Sequence, residues 1–152
     1  MIERFNIVSG RKYTVVANSI IGMPDETRDL IFDTINFVRM LPHDVDTSGA
    51  FVWAPYHGTS LRDLAVQKGY LNDDTIIDLA IFSKSILKMP TISSDEIEGL
   101  ARTFSYYVKF PESRFPEIKT AESLDQVGDK KWKELGNEFD SQWRLPHVEY
   151  DL

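Results

Sequence analysis

The sequence predicts an α/β protein in which a short parallel β/α layer is followed by a mainly helical part. Two apolar, β-rich runs, Tyr13–Ile21 and Ala50–Ala54, each lead through a turn into residues at helical spacing. Successive β-then-α units imply parallel strands joined by right-handed crossovers. Beyond Leu71 the texture changes to mainly helical periodicity. A full eight-stranded α/β barrel takes ~250 residues, and the chain has 152, so any barrel it builds is partial. The expected organisation is a partial βα segment over residues 1–71 and a helical extension over 72–152, packed together as one structural domain.

The first run, YTVVANSII, is mostly apolar and β-branched, as suits a strand buried on both faces of a parallel sheet. Pro24, Asp25 and Thr27 form a turn and cap, and Leu30, Ile31, Thr34, Ile35, Val38 and Leu41 recur at helical spacing until Pro42. The second unit repeats the plan: AFVWA, the turn PYHGT, and a short helix over Ser60–Lys68 that Gly69 closes with a left-handed cap. Residues 73 to 89 are ambiguous between helix and strand around Ile76–Phe82, with an extended look over Ser85–Met89. Ser93 and Glu96 form a capping-box pattern opening an amphipathic helix with Ile97, Leu100, Ala101, Phe104 and Val108 on one face. Tyr106, Tyr107 and Phe110 read as packing rather than as a pocket. A last helix places Trp132, Leu135, Phe139 and Trp143 on one stripe, weakened at Gly136.

Composition removes several classes of function. Hydrophobic content of 42% suits a globular domain, and no stretch approaches the ~20 apolar residues of a membrane span. Seventeen basic against twenty-four acidic side chains give a formal charge of −7 without a basic cluster, which disfavours nucleic acid. The N-terminal MIERFNIVSGRKY carries charges through any would-be signal, so a cytoplasmic location is the expectation. With no cysteine, the chain offers no disulfide, no thiolate zinc site and no thiolates of its own for an iron–sulfur cluster. His43, His57 and His147 show no metal-ligand spacing, and no metal site is expected.

In a parallel α/β protein, ligands gather at the carboxyl ends of the strands, where loops converge and helix N-termini present free N–H groups. Gly22–Thr27 and Pro55–Ser60 are the turns at those ends. Gly22 permits close approach, and Glu26 either faces inward or balances the dipole of the first helical turn. Tyr56 and His57 offer an aromatic face and a titratable ring, although His57 reads equally as a half-buried loop residue with a satisfied hydrogen bond. The Gly22 loop lacks the Lys-Ser/Thr ending of a P-loop.

Three segments in order carry a resemblance. NSIIGMPDET resembles the fifth strand and loop of radical S-adenosylmethionine enzymes, FVWAPYHGTSLRDLAVQKGYL their sixth unit, and LKMPTISSDEIEGLARTFSYYVKFPE the C-terminal helical part of the branch associated with a cobalamin-binding domain. The resemblance implies that strands five and six of a partial parallel barrel are present here, and that this is the C-terminal half of such an enzyme. It further implies that strand alternation puts Asn18, Ile20 and Gly22 on the barrel's inner face, with Ile20 against the adenine of S-adenosylmethionine. Asn18 stands where many members carry glycine, so its amide either adds a polar contact or bonds a neighbouring strand. Ala54, Pro55 and Tyr56 border the cofactor in the same implication, Glu26 belongs to its loop, and His57 is the candidate substrate contact.

The chain departs from the family at its chemical heart. The family's four-iron four-sulfur cluster is held by a CxxxCxxC loop that a chain without cysteine cannot supply. The cluster, and any cobalamin, would therefore belong to an N-terminal half joined in cis or in trans. The expectation is a chain that contributes part of the cofactor and substrate site and is inactive alone. The alternative is a non-catalytic half-barrel module that associates through its open edge, with itself or with another protein.

Overall fold

The computed structural model describes residues 15–42, 45–77 and 84–143. It is a mixed α/β structure: a two-stranded parallel sheet followed by a mostly helical C-terminal part. Strand β1 spans Val15–Ile21, helix α1 Arg28–Arg39, strand β2 Val45–Val52 and helix α2 Ser60–Gln67. Helix α3 follows at Ser94–Lys109, then a 3-10 turn at Glu112–Arg114, helix α4 at Phe115–Ala121 and helix α5 at Gln126–Trp143.

Local chemistry sets most of these boundaries. Thr27, Thr59 and Ser93 have extended backbones, and their side chains accept from the N–H of Leu30, Arg62 and Glu96, satisfying donors that a helix start leaves open. Gly69 follows α2 at φ +71°. Arg39 caps the far end of α3, its guanidinium bonding the carbonyls of Tyr107 at 2.5 Å and Phe110 at 2.8 Å.

Strand β2 differs from the expected Ala50–Ala54, beginning five residues earlier and stopping at Val52. Pairing with β1 draws the polar stretch Asp46-Thr47-Ser48 into the ladder, so tertiary pairing overrides propensity. After Trp53 donates to the Ile21 carbonyl at 2.8 Å, Pro55 has no N–H to continue. The register runs Val15↔Val45 to Ala17↔Thr47, then resumes at Ser19↔Ala50, so β2 carries one extra residue as a bulge. Gly49 takes φ +90° there, and its N–H is held by Thr47 Oγ1 at 3.1 Å.

Helices α1 and α3 cover one face of the sheet. Ile21, Val45 and Val52 meet Ile31, Ile35 and Val38 of α1 and Ile97, Leu100 and Phe104 of α3 in one continuous core. Each such side chain contributes roughly 1.5–3 kcal/mol by burial, against about 0–1 kcal/mol for an exposed ion pair, so this layer holds the fold. Leu30, expected on the core stripe, is half exposed, whereas Leu41 is buried just past the helix end. A smaller cluster of Ala65, Leu71 and Leu87 sits beneath Trp53.

Residues 78–83, within the ambiguous stretch, lie outside the described residues, as do His43 and His147. Ser85–Met89 forms no strand, although Lys88 N–H bonds the Tyr70 carbonyl at 2.9 Å and Leu87 is buried. Tyr106, Tyr107 and Phe110 are packing residues: Tyr107 meets Phe32 and Phe115 edge-on, Phe110 meets Trp143 edge-on, and Tyr106 lies tilted against Phe139. Helix α4 is too short to announce itself by periodicity; Pro116 in its first turn is the signal that marks it.

Candidate functional site

The two loops at the carboxyl ends of β1 and β2 lie side by side, and each is braced by polar groups. In the first, Glu26 folds back so that Oε2 accepts from the N–H groups of Gly22 and Met23. Glu26 thus precedes the N-cap Thr27 instead of standing in the first helical turn, where Asp29 takes the dipole-facing position. Burial pushes its carboxyl up, against the backbone bonds that lower it. Asp25, at φ +65°, accepts from the Tyr70 hydroxyl at 2.8 Å and pairs with Lys68 at 2.6 Å, tying the first loop to the end of α2. Hydrogen bonds from Lys68 and Tyr70 hold the Asp25 carboxyl below its ordinary value.

The second loop is anchored by a residue that sequence reasoning did not single out. Arg62 is only 2% exposed; its Nη1 bonds the Pro55 carbonyl at 2.9 Å, and its Nη2 bonds the carbonyls of Asp73 at 2.8 Å and Thr75 at 3.0 Å. In sequence it is one basic residue in a short amphipathic helix, indistinguishable from a solvated one. The carbonyls it satisfies come from irregular backbone, which no periodicity reports.

Between the loops and the uncovered sheet face lies an open, mainly apolar hollow of about 500 Å³, lined by Ile20, Phe51, Val52, Trp53, Ala54 and Tyr56. Of the expected site residues it brings together Ile20, Ala54 and Tyr56. Pro55 is buried behind the rim, and His57 is exposed, not half-buried, and outside the lining. Asn18 shares the open face with Ile20, and its Oδ1 accepts from the hydroxyl of Ser48 on the neighbouring strand.

Gly22 departs from the expected face. The alternation of β1 ends at Ile21, and φ +83° turns Gly22 toward the helices, where an added Cβ would stand 3.0 Å from Ile97 Cγ2 and 3.5 Å from Val52 Cγ1. Its need for glycine therefore comes from helix–sheet packing and backbone angle, not from exposure on the open face.

Among the described residues, no group of three or more His, Asp or Glu side chains could hold a metal ion. None of the helices there is long and apolar enough to cross a membrane.

No family model matches the chain. No solved structure matches it either. Over 97 residues it is 32% identical to an uncharacterized methyltransferase of Pyrococcus horikoshii, an alignment covering 59% of this chain. The chain spans 19% of that relative's length, so its likeness is to one part of a much longer protein that carries a methyltransferase name.

Proposed function

We propose that this chain is the C-terminal portion of a radical S-adenosylmethionine enzyme and forms one wall of its cofactor and substrate site. The observation that carries the reading is the open face of β1 and β2: a parallel pair with α1 and α3 packed on the opposite face and an apolar hollow at its carboxyl end. The three ordered sequence resemblances and the methyltransferase name of the distant relative support it. In this reading the sheet face is the inner surface of a partial (β/α) barrel. Ile20 meets the adenine, Ala54, Pro55 and Tyr56 border the cofactor, Asn18 extends the same face, and Gly22 and Glu26 shape the loop above it. His57, exposed at the rim, is a weaker candidate for substrate contact.

The residues present suit the flat, apolar part of S-adenosylmethionine and no more. Ile20, Phe51 and Tyr56 supply surface for a heterocycle. When bound and reduced, S-adenosylmethionine supplies a 5′-deoxyadenosyl radical. The iron–sulfur cluster needed for that reduction, and any cobalamin, belong to the N-terminal half, because this sequence holds no thiolate to ligate a cluster.

A partner follows from the same geometry. One flank of α1 is covered: Phe32 packs on Tyr107 and Phe115, and Arg28 pairs with Glu122. The opposite flank leaves Leu30 50% and Phe37 39% exposed. Because α3 lies against β2 and α1, that bare flank falls on the β1 side, beside a strand edge unpaired among the described residues. The N-terminal half, in cis or in trans, is the partner this reading assigns to it; self-association through the same edge is the alternative for a non-catalytic module.

Coexpression with the reading frame carrying CxxxCxxC tests the proposal. The two parts are expected to copurify, bind a cluster and cleave S-adenosylmethionine together, while this chain alone does neither. Cluster absorbance with cofactor cleavage by the isolated chain would overturn it.

A further inference from the structure

We propose that Asn18 and Ser48 form a polar pair on the open sheet face that selects the amino edge of an adenine ring resting on Ile20 and Phe51. The inference rests on the reading of this face as part of an S-adenosylmethionine site and assigns its base specificity to two residues.

Toward the carboxyl end of the strands the face is apolar apart from this pair; Asp46, the register partner of Val16, stands nearer the strand starts. Along β1 it presents Val16, Asn18 and Ile20, and along β2 Ser48 and Phe51. Ser48 and Phe51 are three residues apart, so in an uninterrupted strand they would point to opposite faces. The bulge between Thr47 and Ala50 changes the phase, and both side chains emerge on the same side. Gly49 makes this possible through φ +90°. It also lacks a Cβ, which would stand 3.3 Å from Ser105 Oγ on the helix side.

The hydrogen bond from Ser48 fixes the amide of Asn18. With Oδ1 receiving the Ser48 hydroxyl, the group keeps a second lone pair on that oxygen and two N–H donors on Nδ2. None of the hydrogen bonds found among the described residues uses Nδ2. A carboxamide presenting acceptor and donor side by side complements the 6-amino donor and adjacent ring-nitrogen acceptor of adenine. Apolar side chains two residues along the strand offer the ring a surface at about 7 Å spacing, within the span of a purine. A purely apolar wall discriminates poorly between rings that differ by one polar group, whereas a wall with a placed amide discriminates strongly.

The experiment is a nucleoside titration of the full chain followed by 1H–15N NMR, comparing adenosine with purine riboside, which keeps the ring and lacks the 6-amino group. In the parent protein the Asn18 side-chain amide resonances are expected to shift, with adenosine binding about tenfold tighter than purine riboside. Asn18→Ala is expected to retain purine riboside binding and lose the preference. Ser48→Ala, which leaves the amide in place but frees it to rotate, is expected to reduce the preference part-way. Persistence of the full preference in Asn18→Ala overturns this inference and leaves the site reading intact. Absence of binding by either nucleoside to the parent protein overturns the site reading and this inference with it.

Discussion

Arg28 grips both carboxylate oxygens of Glu122, Nη1 on Oε2 at 2.8 Å and Nη2 on Oε1 at 2.6 Å, joining α1 to the end of α4. Glu122 is 6% exposed and also accepts from the Tyr107 hydroxyl at 2.5 Å and Lys119 at 2.9 Å. A carboxylate this deeply buried is tolerated because all its partners are present. Glu122→Ala is expected to cost about 3 kcal/mol in urea denaturation, because it strands a part-buried guanidinium and a buried phenol. Replacing Arg28 and Glu122 together by apolar residues is expected to cost less than the sum of the two single changes.

The same carboxylate makes stability depend on pH. Burial pushes the Glu122 carboxyl up, but the bonds from Arg28, Tyr107 and Lys119 outweigh it and leave the folded value below the ordinary 4.5. Its contribution is therefore fully present above that value and is lost as pH falls through the folded pKa. Tyr107 acts on the alkaline side: burial and its bond to Glu122 raise the phenol above 10.0, so its contribution is present below that value and declines as pH rises further. Urea unfolding across the acid range is expected to show a slope that Glu122→Gln flattens.

Gly22→Ala is expected to destabilise the chain by about 1–2 kcal/mol from its backbone angle alone, and further from the 3.0 Å approach to Ile97 Cγ2. Ile97→Leu in the same background, which removes the β-branched Cγ2 methyl, should recover the packing part and not the conformational part. Thermal unfolding of the single and double variants separates the two.

Arg62→Met is expected to cost about 1–3 kcal/mol, since three carbonyls lose a buried donor. The local effect is more specific. Trp53 lines the hollow whose rim Arg62 holds, so acrylamide quenching of Trp53, in a background with Trp132 and Trp143 replaced by Phe, should rise. Quenching unchanged from the parent would show that the rim does not depend on the guanidinium.

Leu30→Glu with Phe37→Glu is expected to leave the chain's own unfolding within about 0.5 kcal/mol, because both side chains are substantially exposed. The pair should nevertheless abolish copurification with the cysteine-bearing half. Retained copurification would move the docking surface elsewhere.

Several features of the fold are legible from residue order. The caps at Thr27 and Ser93, the core positions Ile31, Ile35 and Val38, and the stripe of α3 follow from local hydrogen bonding and from a 3.6-residue period. Ile20 and Asn18 on one face follow from the two-residue period of β1. These patterns depend on neighbours within four positions, which is the range over which side-chain types constrain backbone geometry.

Other features depended on pairing between distant segments. The bulge in β2 exists because β1 and β2 match on both sides of Gly49, and it decides that Ser48 joins Asn18. The turn of Gly22 toward Ile97 and the burial of Arg62 among three carbonyls arise from such contacts too, whereas the fold-back of Glu26 onto the amides of Gly22 and Met23 is local but set by an irregular turn that has no period. By itself the sequence determined the type of β1, α1, α2, α3 and α5 and which loops stand at the strand ends. Only the tertiary structure decided which side chains from those loops meet, because register and backbone hydrogen bonding across the sheet set directions that no local period encodes.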